Sequence, residues 1–194
     1  MIATAADVLG FWFGAEDGVA PGTQRAEWFR KSDAFDARVR QRFGATVEAA
    51  LAGGLDSDWG ASLDGRLALL IVLDQFPRNL FRGSARAFAG DARALALARQ
   101  LLADGNLARL APLQTWFACL PFEHAEDLQA QDECVRLLTE LVQTEPELAG
   151  ALDYAQRHRD VIRRYGRFPH RNAVLGRTSS EAEAAYLAQP GAGF

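Results

Sequence analysis

Apolar residues recur every three or four positions along almost the whole chain, and this spacing predicts helices rather than strands. One run repeats every four residues, namely Phe35, Val39, Phe43 and Val47. The stretch from 67 to 73 is apolar on every side, so it predicts a helix that neighbouring helices surround. No segment shows the sustained alternation of a half-buried strand. We therefore expect an all-α fold of eight or nine helices, packed as antiparallel pairs by their short connections.

Capping residues and prolines mark the predicted ends of these helices. Side chains able to cap a first turn are found at Thr4, at Ser32 or Asp33, and at Ser62, Asp91 and Ser180. Gly14 should end the first helix, before a glycine-rich connection. Prolines 77 and 121 should end the helices before them, because proline has no N–H and pushes the preceding residue out of helical geometry. A late helix is expected from Pro146 to Tyr165, with an inward stripe of Ala151, Tyr154, His158, Val161 and Tyr165.

Two bends with nearly the same sequence follow two of the predicted helices. They read Phe76-Pro77-Arg78-Asn79, leading to Arg82, and Phe168-Pro169-His170-Arg171-Asn172, leading to Arg177. Guanidinium groups bind carboxylate and phosphate through paired hydrogen bonds. If both bends lie at one end of the molecule, they predict an arginine-lined pocket for an anionic small molecule or a carboxylate-bearing peptide. The residues assigned to this ligand site are Asp74, Arg78, Asn79, Arg82, Arg171, Asn172 and Arg177.

A structural interpretation of the same bends stays open. An arginine after a helix can donate to the last carbonyls of that helix, and an asparagine commonly stabilises a turn. Asp74 and Glu123 would then neutralise Arg78 or Arg171, and the bends would hold helices together. A protein-interaction scaffold, with a groove for a helix or an extended segment, is a further alternative.

His124 lies in the run from Glu123 to Asp127, His158 on the predicted inward stripe and His170 in the second bend, which leaves open whether the protein is an enzyme. His124, His158 and His170, with Glu123, are the candidate catalytic residues for acid–base chemistry of a hydrolase type. The histidines and nearby carboxylates are also admissible metal ligands, but their spacing matches neither His-Glu-x-x-His nor the Glu-x-x-His of di-iron bundles. We predict no metal and no cofactor.

Charge and length bound the remaining classes. A formal net charge of −4 argues against general nucleic-acid binding. An acidic block over 121–148 precedes a basic block over 157–177, and such blocks usually pair within one molecule. RNA binding would need the basic face to be unpaired. A length of 194 residues suits a single domain over 1–194.

The location and partners follow from what the chain contains. No stretch approaches the ~20 apolar residues that span a bilayer, and the first residues lack the pattern of a signal peptide. Two cysteines without metal spacing, Cys119 and Cys134, suit a reducing compartment. We expect a cytoplasmic protein with no membrane partner. The aromatic runs Phe11-Trp12-Phe13 and Trp28-Phe29 are expected in the core, with at least one ring meeting another element or a second subunit.

Three long motifs carry a resemblance to a known family. They are Leu73 to Gly83, continued by Ala87-Phe88 and Asp91; Pro121 to Asp127; and Arg167 to Asn172. Together they resemble the bacterial domain of unknown function nine-two-four, over almost the whole chain. The resemblance implies an all-α fold similar to the tetratricopeptide-like superfamily, with no assigned activity and no catalytic residues. The chain itself shows no clean ~34-residue period, so a strict repeat is not expected.

Overall fold

The computed structural model describes residues 1–14 and 19–193, and in these ranges it is helical without β-strand. This confirms the predicted all-α fold. The α-helices are α1 (Ala5–Phe13), α2 (Asp33–Leu51), α3 (Asp56–Trp59), α4 (Leu63–Leu80), α5 (Asp91–Ala103), α6 (Pro112–Glu123), α7 (Leu128–Thr144), α8 (Ala149–Tyr165) and α9 (Glu181–Leu187). Short 3₁₀ helices lie at Ala26–Trp28, Ala85–Phe88, Asn106–Arg109, Pro146–Leu148 and Pro169–Arg171. The glycine-rich connection predicted after Gly14 lies partly outside the described residues. The tetratricopeptide-like relationship stays a prediction.

The described residues form two compact units. Unit 1 consists of residues 1–82 and 86–121, and unit 2 consists of residues 83–85 and the chain from Phe122 onward. Helices α1 to α5 and most of α6 belong to unit 1, whereas the end of α6 and helices α7 to α9 belong to unit 2. The expectation of a single domain stays a prediction.

Helix α4 is the centre of unit 1, where it packs against α1, α2, α3 and α5. Its residues from 67 to 73 are all buried, as their apolar pattern predicts. An aromatic cluster fills the space beside it: the Phe43 and Phe76 ring centroids are 4.9 Å apart, and Trp12 meets Phe117 edge-on at 5.6 Å. The run Phe11-Trp12-Phe13 is buried in full, while Phe29 is 53% exposed.

The cap at each helix start is mostly the predicted one. Thr4, Ser32 and Ser62 accept hydrogen bonds from their first turns, and Ser180 forms a reciprocal capping box with Glu183. The expectation for Asp91 is wrong, because Gly90 occupies the cap position and Asp91 begins the helix. This shift leaves the Asp91 carboxylate available to a side chain from α4.

Helix α4 continues through Pro77 to Leu80, so the prediction that it ends at Phe76 is wrong. The Phe81 amide donates to the Pro77 carbonyl at 2.9 Å, as in a regular helical turn. Proline lacks the N–H that would reach the carbonyl of Leu73. Gly90 lies against that carbonyl so closely that a side chain there would collide with it. Tertiary packing therefore covers the gap that the proline leaves.

Helix α6 likewise continues through Pro121, although the sequence predicts its end before that residue. Within unit 2, its C-terminal carbonyls are satisfied by one fully buried side chain, Gln131. The Gln131 amide donates to the carbonyls of Phe122, Glu123 and Ala125 at 3.4, 2.5 and 2.8 Å. These bonds stabilise the last turn and fix the position of Glu123, the last residue of α6.

Unit 2 is organised by the pairing of α7 with α8. Asp127 caps α7 by accepting from the amides of Gln129 and Ala130, a cap that the sequence pattern does not reveal. On α8 the buried face includes Ala155 and Ile162, whereas Tyr154 is 49% exposed, so its predicted inward position is wrong. The buried stripe runs along 151, 155, 158 and 162.

No helix within the described ranges is both long enough and apolar enough to cross a bilayer. Cys119 and Cys134 are both buried.

Candidate functional site

Arg78, the first predicted site arginine, lies in the last turn of α4 and joins it to the start of α5. Its guanidinium forks onto the Asp91 carboxylate, with Nη1–Oδ1 and Nη2–Oδ2 distances of 2.8 and 3.1 Å. Nη1 also lies 3.4 Å from Oδ1 of the fully buried Asp74. These contacts are those of the structural interpretation, in which Asp74 neutralises Arg78. A ligand-binding role for either residue stays a prediction.

Asn79 and Arg82, which also belong to the first bend, both contact the carboxylate of Asp36 in α2. Its Oδ1 accepts from Asn79 Nδ2 at 2.8 Å and from Arg82 Nη2 at 3.0 Å, and its Oδ2 accepts from Arg82 Nε at 2.5 Å. The hydrogen bonds that Arg82 donates to Asp36 raise the pKa of Arg82, against the opposing effect of burial. Asp36 is 8% exposed and is a residue that the sequence reasoning missed. The only signal in the sequence was that Asp36 directly follows Phe35, a predicted core residue.

This carboxylate network forms one wall of an open cavity of about 360 Å³ within unit 1. The lining residues are Lys31, Asp33, Asp36, Ala37, Arg40, Asn79, Leu80 and Arg82. Three cations against two carboxylates leave the lining with a net positive charge. Lys31 and Asp33 are 3.7 Å apart but 72% and 89% exposed, so water screens most of their attraction.

Arg40 supplies the excess charge in this cavity, and sequence reasoning missed it as well. Its Nη2 donates to the carbonyl of Leu80, the last residue of α4, at 2.7 Å. Among the described residues, no carboxylate lies within ion-pair distance of Arg40. A carbonyl holds the guanidinium in place without neutralising it, so an anion in the cavity would meet a positioned positive charge.

The second bend lies in unit 2, where Arg177 and Glu126 hold it closed. Arg177 donates from Nη1 to Glu126 Oε2 at 2.6 Å and from Nη2 to Oε1 at 2.9 Å. The Phe168 amide also donates to Oε1, at 2.8 Å. Burial raises the pKa of Glu126, but the hydrogen bonds from Arg177 and Phe168 outweigh it, so this pKa lies below its ordinary value.

The buried pair Arg171 and Asn172 lies inside that loop. The Arg171 guanidinium carbon sits 4.5 Å from the centre of the Phe168 ring, an arrangement of the cation–π type. Asn172 accepts from Arg177 Nε at 2.9 Å and donates to Ser179 Oγ at 3.0 Å. Both side chains belong to residues less than a tenth exposed. The loop therefore carries a cation into the interior of unit 2.

The three histidines all belong to unit 2. The His124 and His158 ring centroids are 6.5 Å apart, and the Phe168 ring lies 5.5 Å from both His158 and His170. His158 Nδ1 is 2.9 Å from the Tyr154 carbonyl, to which it donates, and 3.4 Å from Glu123 Oε1. With the proton on Nδ1, the other ring nitrogen, Nε2, carries a lone pair.

Burial keeps the rings of His158 and His170 neutral. It lowers the pKa of His158 to about 3, helped by the nearby positive groups and opposed by the Tyr154 hydrogen bond. Burial, followed by the charge of Arg171, lowers the pKa of His170 to about 4. Both rings are thus uncharged at neutral pH and can act as hydrogen-bond acceptors or weak bases.

Asp127 and Asp160, two carboxylates close to histidines in the sequence, have other contacts. Asp127 caps α7, and Asp160 pairs with Arg163 at 3.1 Å. In the part of the chain that the structure describes, no group of three or more His, Cys, Asp or Glu side chains is arranged to hold a metal ion. Arginines of the basic block also pair with carboxylates, as in Arg159 with Asp132 at 3.7 Å and Arg167 with Glu183 at 2.6 Å.

The predicted site residues therefore divide between the units. In unit 1, Asn79 and Arg82 share Asp36, while Arg78 belongs to the separate network of Asp74 and Asp91. In unit 2, Asn172 and Arg177 share a network with Glu126, and Arg171 lies beside the histidines. The expectation that the two bends form one pocket stays a prediction.

Comparison with known proteins agrees with the motifs. The chain is 38% identical to a protein of unknown function from Agrobacterium tumefaciens whose structure has been solved; the alignment covers 95% of this chain and 96% of that one, with a TM-score of 0.80. No curated protein matches the chain. Residues 8–191 match the family described as bacterial protein of unknown function (DUF924), and this range contains both bends and all three histidines. The chain therefore belongs to the DUF924 family.

Proposed function

We propose that the protein binds an anionic small molecule or the carboxylate of a peptide, and that the cavity of unit 1 supplies the binding groups. The observation that carries this proposal is Arg40, a guanidinium held by the Leu80 carbonyl beside a cavity whose lining is net positive. One of its nitrogens is fixed, and the planar group can present its other N–H donors to a carboxylate or phosphate.

The groups around Arg40 are suited to such a ligand because they are already positioned. Asp36 fixes Asn79 and Arg82 through three hydrogen bonds, so binding would cost little side-chain entropy at those positions. A cavity of about 360 Å³ lies at the lower end of the range for small-molecule sites. The open lining favours a small acid, a phosphate ester or a chain terminus over a bulky apolar ligand.

Titration with succinate and with inorganic phosphate tests this proposal, with isothermal calorimetry as the readout. The wild-type protein should bind at least one of the two saturably. Arg40→Gln should weaken that binding roughly tenfold, since a hydrogen bond to a charged group contributes about 1.5 to 3 kcal/mol. Arg164→Gln is the matched control, because it removes an exposed arginine of unit 2 outside the cavity. Equal affinities for the two variants would overturn the proposal.

A second candidate function, acid–base catalysis of a hydrolase type, is favoured by the contact between His158 and Glu123 in unit 2. The Nδ1–Oε1 distance of 3.4 Å places a carboxylate beside an imidazole whose Nε2 carries a lone pair. His158→Asn retains a donor near the Nδ1 position and removes Nε2. If the candidate is correct, hydrolysis of p-nitrophenyl acetate should fall at least tenfold in this variant and stay unchanged in Arg164→Gln. An unchanged rate in His158→Asn would exclude it.

Location and assembly belong to the same proposal. Two buried cysteines without metal-binding spacing suit a reducing compartment such as the cytoplasm. Phe29 is half-exposed and stacks on Trp116 with ring centroids 5.0 Å apart, which would give a second copy of the chain an aromatic contact. Sedimentation of wild-type protein and of Phe29→Ser separates a dimer from a monomer.

A further inference from the structure

Unit 1 contains a second cavity, larger than the first and different in chemistry. Its volume is about 510 Å³, and its lining residues are Ile2, Ala3, Thr4, Ala5, Leu55, Asp58, Trp59, Ser62 and Gly65. None of them lines the cavity of Arg40. Whatever occupies this second cavity is therefore independent of the anion site.

Most of the lining residues are apolar, and several are held in place. Leu55 and Trp59 are buried residues of the core, and the Trp59 amide donates to the Leu55 carbonyl at 2.9 Å. In the segment before α1, the Ala3 amide donates to Thr46 Oγ1 at 2.9 Å, which anchors the residues around Ile2. A side chain at Gly65 would collide with the Trp59 carbonyl, so α4 begins directly against this wall.

The hydroxyl groups of the lining are already used in helix caps. Thr4 Oγ1 donates to Asp7 Oδ2 at 2.7 Å and accepts from the Asp7 amide at 3.2 Å. Ser62 Oγ accepts from the Gly65 amide at 3.0 Å. These bonds satisfy the first turns of α1 and α4, so neither hydroxyl is left as the main group that would orient a ligand.

Asp58 is the single formally charged residue in this lining. Its neighbour Asp56 pairs with Arg93, whereas no cation or donor among the described residues contacts the Asp58 carboxylate. A carboxylate at the edge of an apolar cavity attracts a positive group and leaves the apolar walls to cover a hydrocarbon body. Trp59 adds an aromatic surface that favours a cation further.

We propose that this cavity binds an organic amine, with the ammonium group on Asp58 and the apolar body against Ile2, Leu55 and Trp59. The apolar walls provide affinity by removing hydrocarbon from water, and the carboxylate selects the charge of the ligand. An alcohol of the same shape would keep the contacts with the apolar walls and lose the attraction to the Asp58 carboxylate. A carboxylate of the same shape would meet repulsion.

Benzylamine, benzyl alcohol and benzoate are probes of nearly equal size and different charge. Binding is followed by the indole N–H signal of Trp59 in a ¹H–¹⁵N spectrum, assigned with Trp59→Phe. The amine should bind more tightly than the alcohol, and benzoate more weakly than either. Asp58→Asn should reduce amine affinity roughly threefold, the size expected of one surface ion pair, and leave the alcohol unaffected. The exposed Asp153→Asn in unit 2 is the charge-matched control.

A second variant tests the apolar half of the proposal without depending on Asp58. Ile2 is 51% exposed, so Ile2→Gln should leave the fold intact. This substitution should weaken the binding of benzylamine and of benzyl alcohol by the same factor. The proposal is overturned if benzylamine binds no better than benzyl alcohol, if Asp58→Asn binds benzylamine as wild type does, or if none of the probes moves the Trp59 signal. Succinate or phosphate binding at Arg40 is measured separately, so failure here leaves that result untouched.

Discussion

Gly90 lies directly against the backbone carbonyl of Leu73, and a side chain at position 90 would collide with that carbonyl. The contact matters because Pro77 cannot donate to Leu73 within α4. The φ angle of Gly90 is −93°, which any residue adopts, so glycine is needed there for space rather than for backbone freedom.

Gly90→Ala should therefore destabilise the protein by about 1 to 3 kcal/mol, the usual cost of overpacking. Gly44→Ala is the matched control, since nothing lies within 4 Å of a Cβ added in the middle of α2. That substitution should stabilise by about 0.5 to 1 kcal/mol, because alanine loses less entropy in a helix. Urea unfolding followed by tryptophan fluorescence reports both, since all four tryptophans belong to unit 1. Equal effects of the two substitutions would contradict the packing argument.

Arg78→Lys should lower the free energy of unfolding by roughly 1 to 2 kcal/mol, because lysine keeps the charge but cannot fork onto Asp91. The pair is well shielded, with side chains 20% and 18% exposed. Arg86→Lys is the control: Arg86 donates from Nη2 to both carboxylate oxygens of Glu48, and these side chains are 53% and 56% exposed. We expect that change to stay within about 0.5 kcal/mol. Two variants of equal stability would show that the Arg78 fork adds nothing.

The depressed histidine pKa values set a direction for the dependence of stability on pH. In the unfolded chain a histidine titrates near 6.5, whereas the folded values are about 3 for His158 and about 4 for His170. Below pH 6.5 the unfolded chain binds protons that the folded chain does not, so acidification favours unfolding. The stability that the two neutral histidines contribute is fully present above pH 6.5. It is lost as pH falls toward their pKa values in the folded protein.

Glu126 and Glu183, whose pKa values are lowered, titrate below the window from pH 6.5 to pH 4.5, so they add little to the slope measured there. Each histidine should add a slope of up to about 1.4 kcal/mol per pH unit to the free energy of unfolding. Urea unfolding at several pH values, followed by tyrosine signals from unit 2, measures the slope. His170→Gln should reduce it and His158→Leu should reduce it separately. A flat profile in the wild-type protein would refute the assignment.

The sequence predicted features whose causes are local. A capping box such as Ser180 with Glu183 acts over three residues, so the pattern alone identifies it. The continuation of α4 past Pro77 could not be predicted, because Gly90 and its position against Leu73 depend on tertiary packing. Tyr154 was misplaced because positions 154 and 155 both fit a spacing of three or four, and only the packing on α7 selects Ala155.

The candidate sites likewise combine features that a local pattern reveals with contacts that only tertiary packing creates. The motif around Arg78 to Arg82 marked a region rich in interactions, but the partner of Arg82 is Asp36, 46 residues away, and no local pattern connects them. Arg40 has no motif around it, and its role depends on facing the end of α4. The sequence identified the three histidines as candidates but did not reveal the Phe168 ring, whose centroid lies 5.5 Å from those of His158 and His170.

Gln131 is predicted to be the main stabiliser of the end of α6. It is fully buried, and its amide donates to three carbonyls within unit 2, including those of Glu123 and Ala125. Gln131→Leu would fill a similar volume but leave those carbonyls without this donor, which costs about 1 to 3 kcal/mol. Gln129→Leu is the control, because Gln129 is exposed two residues earlier on the same helix. Urea unfolding should separate the two variants, and hydrogen exchange should show faster exchange in the last turn of α6 only for Gln131→Leu. If both variants unfold at the wild-type urea concentration, the carbonyls find other donors and Gln131 is a packing residue.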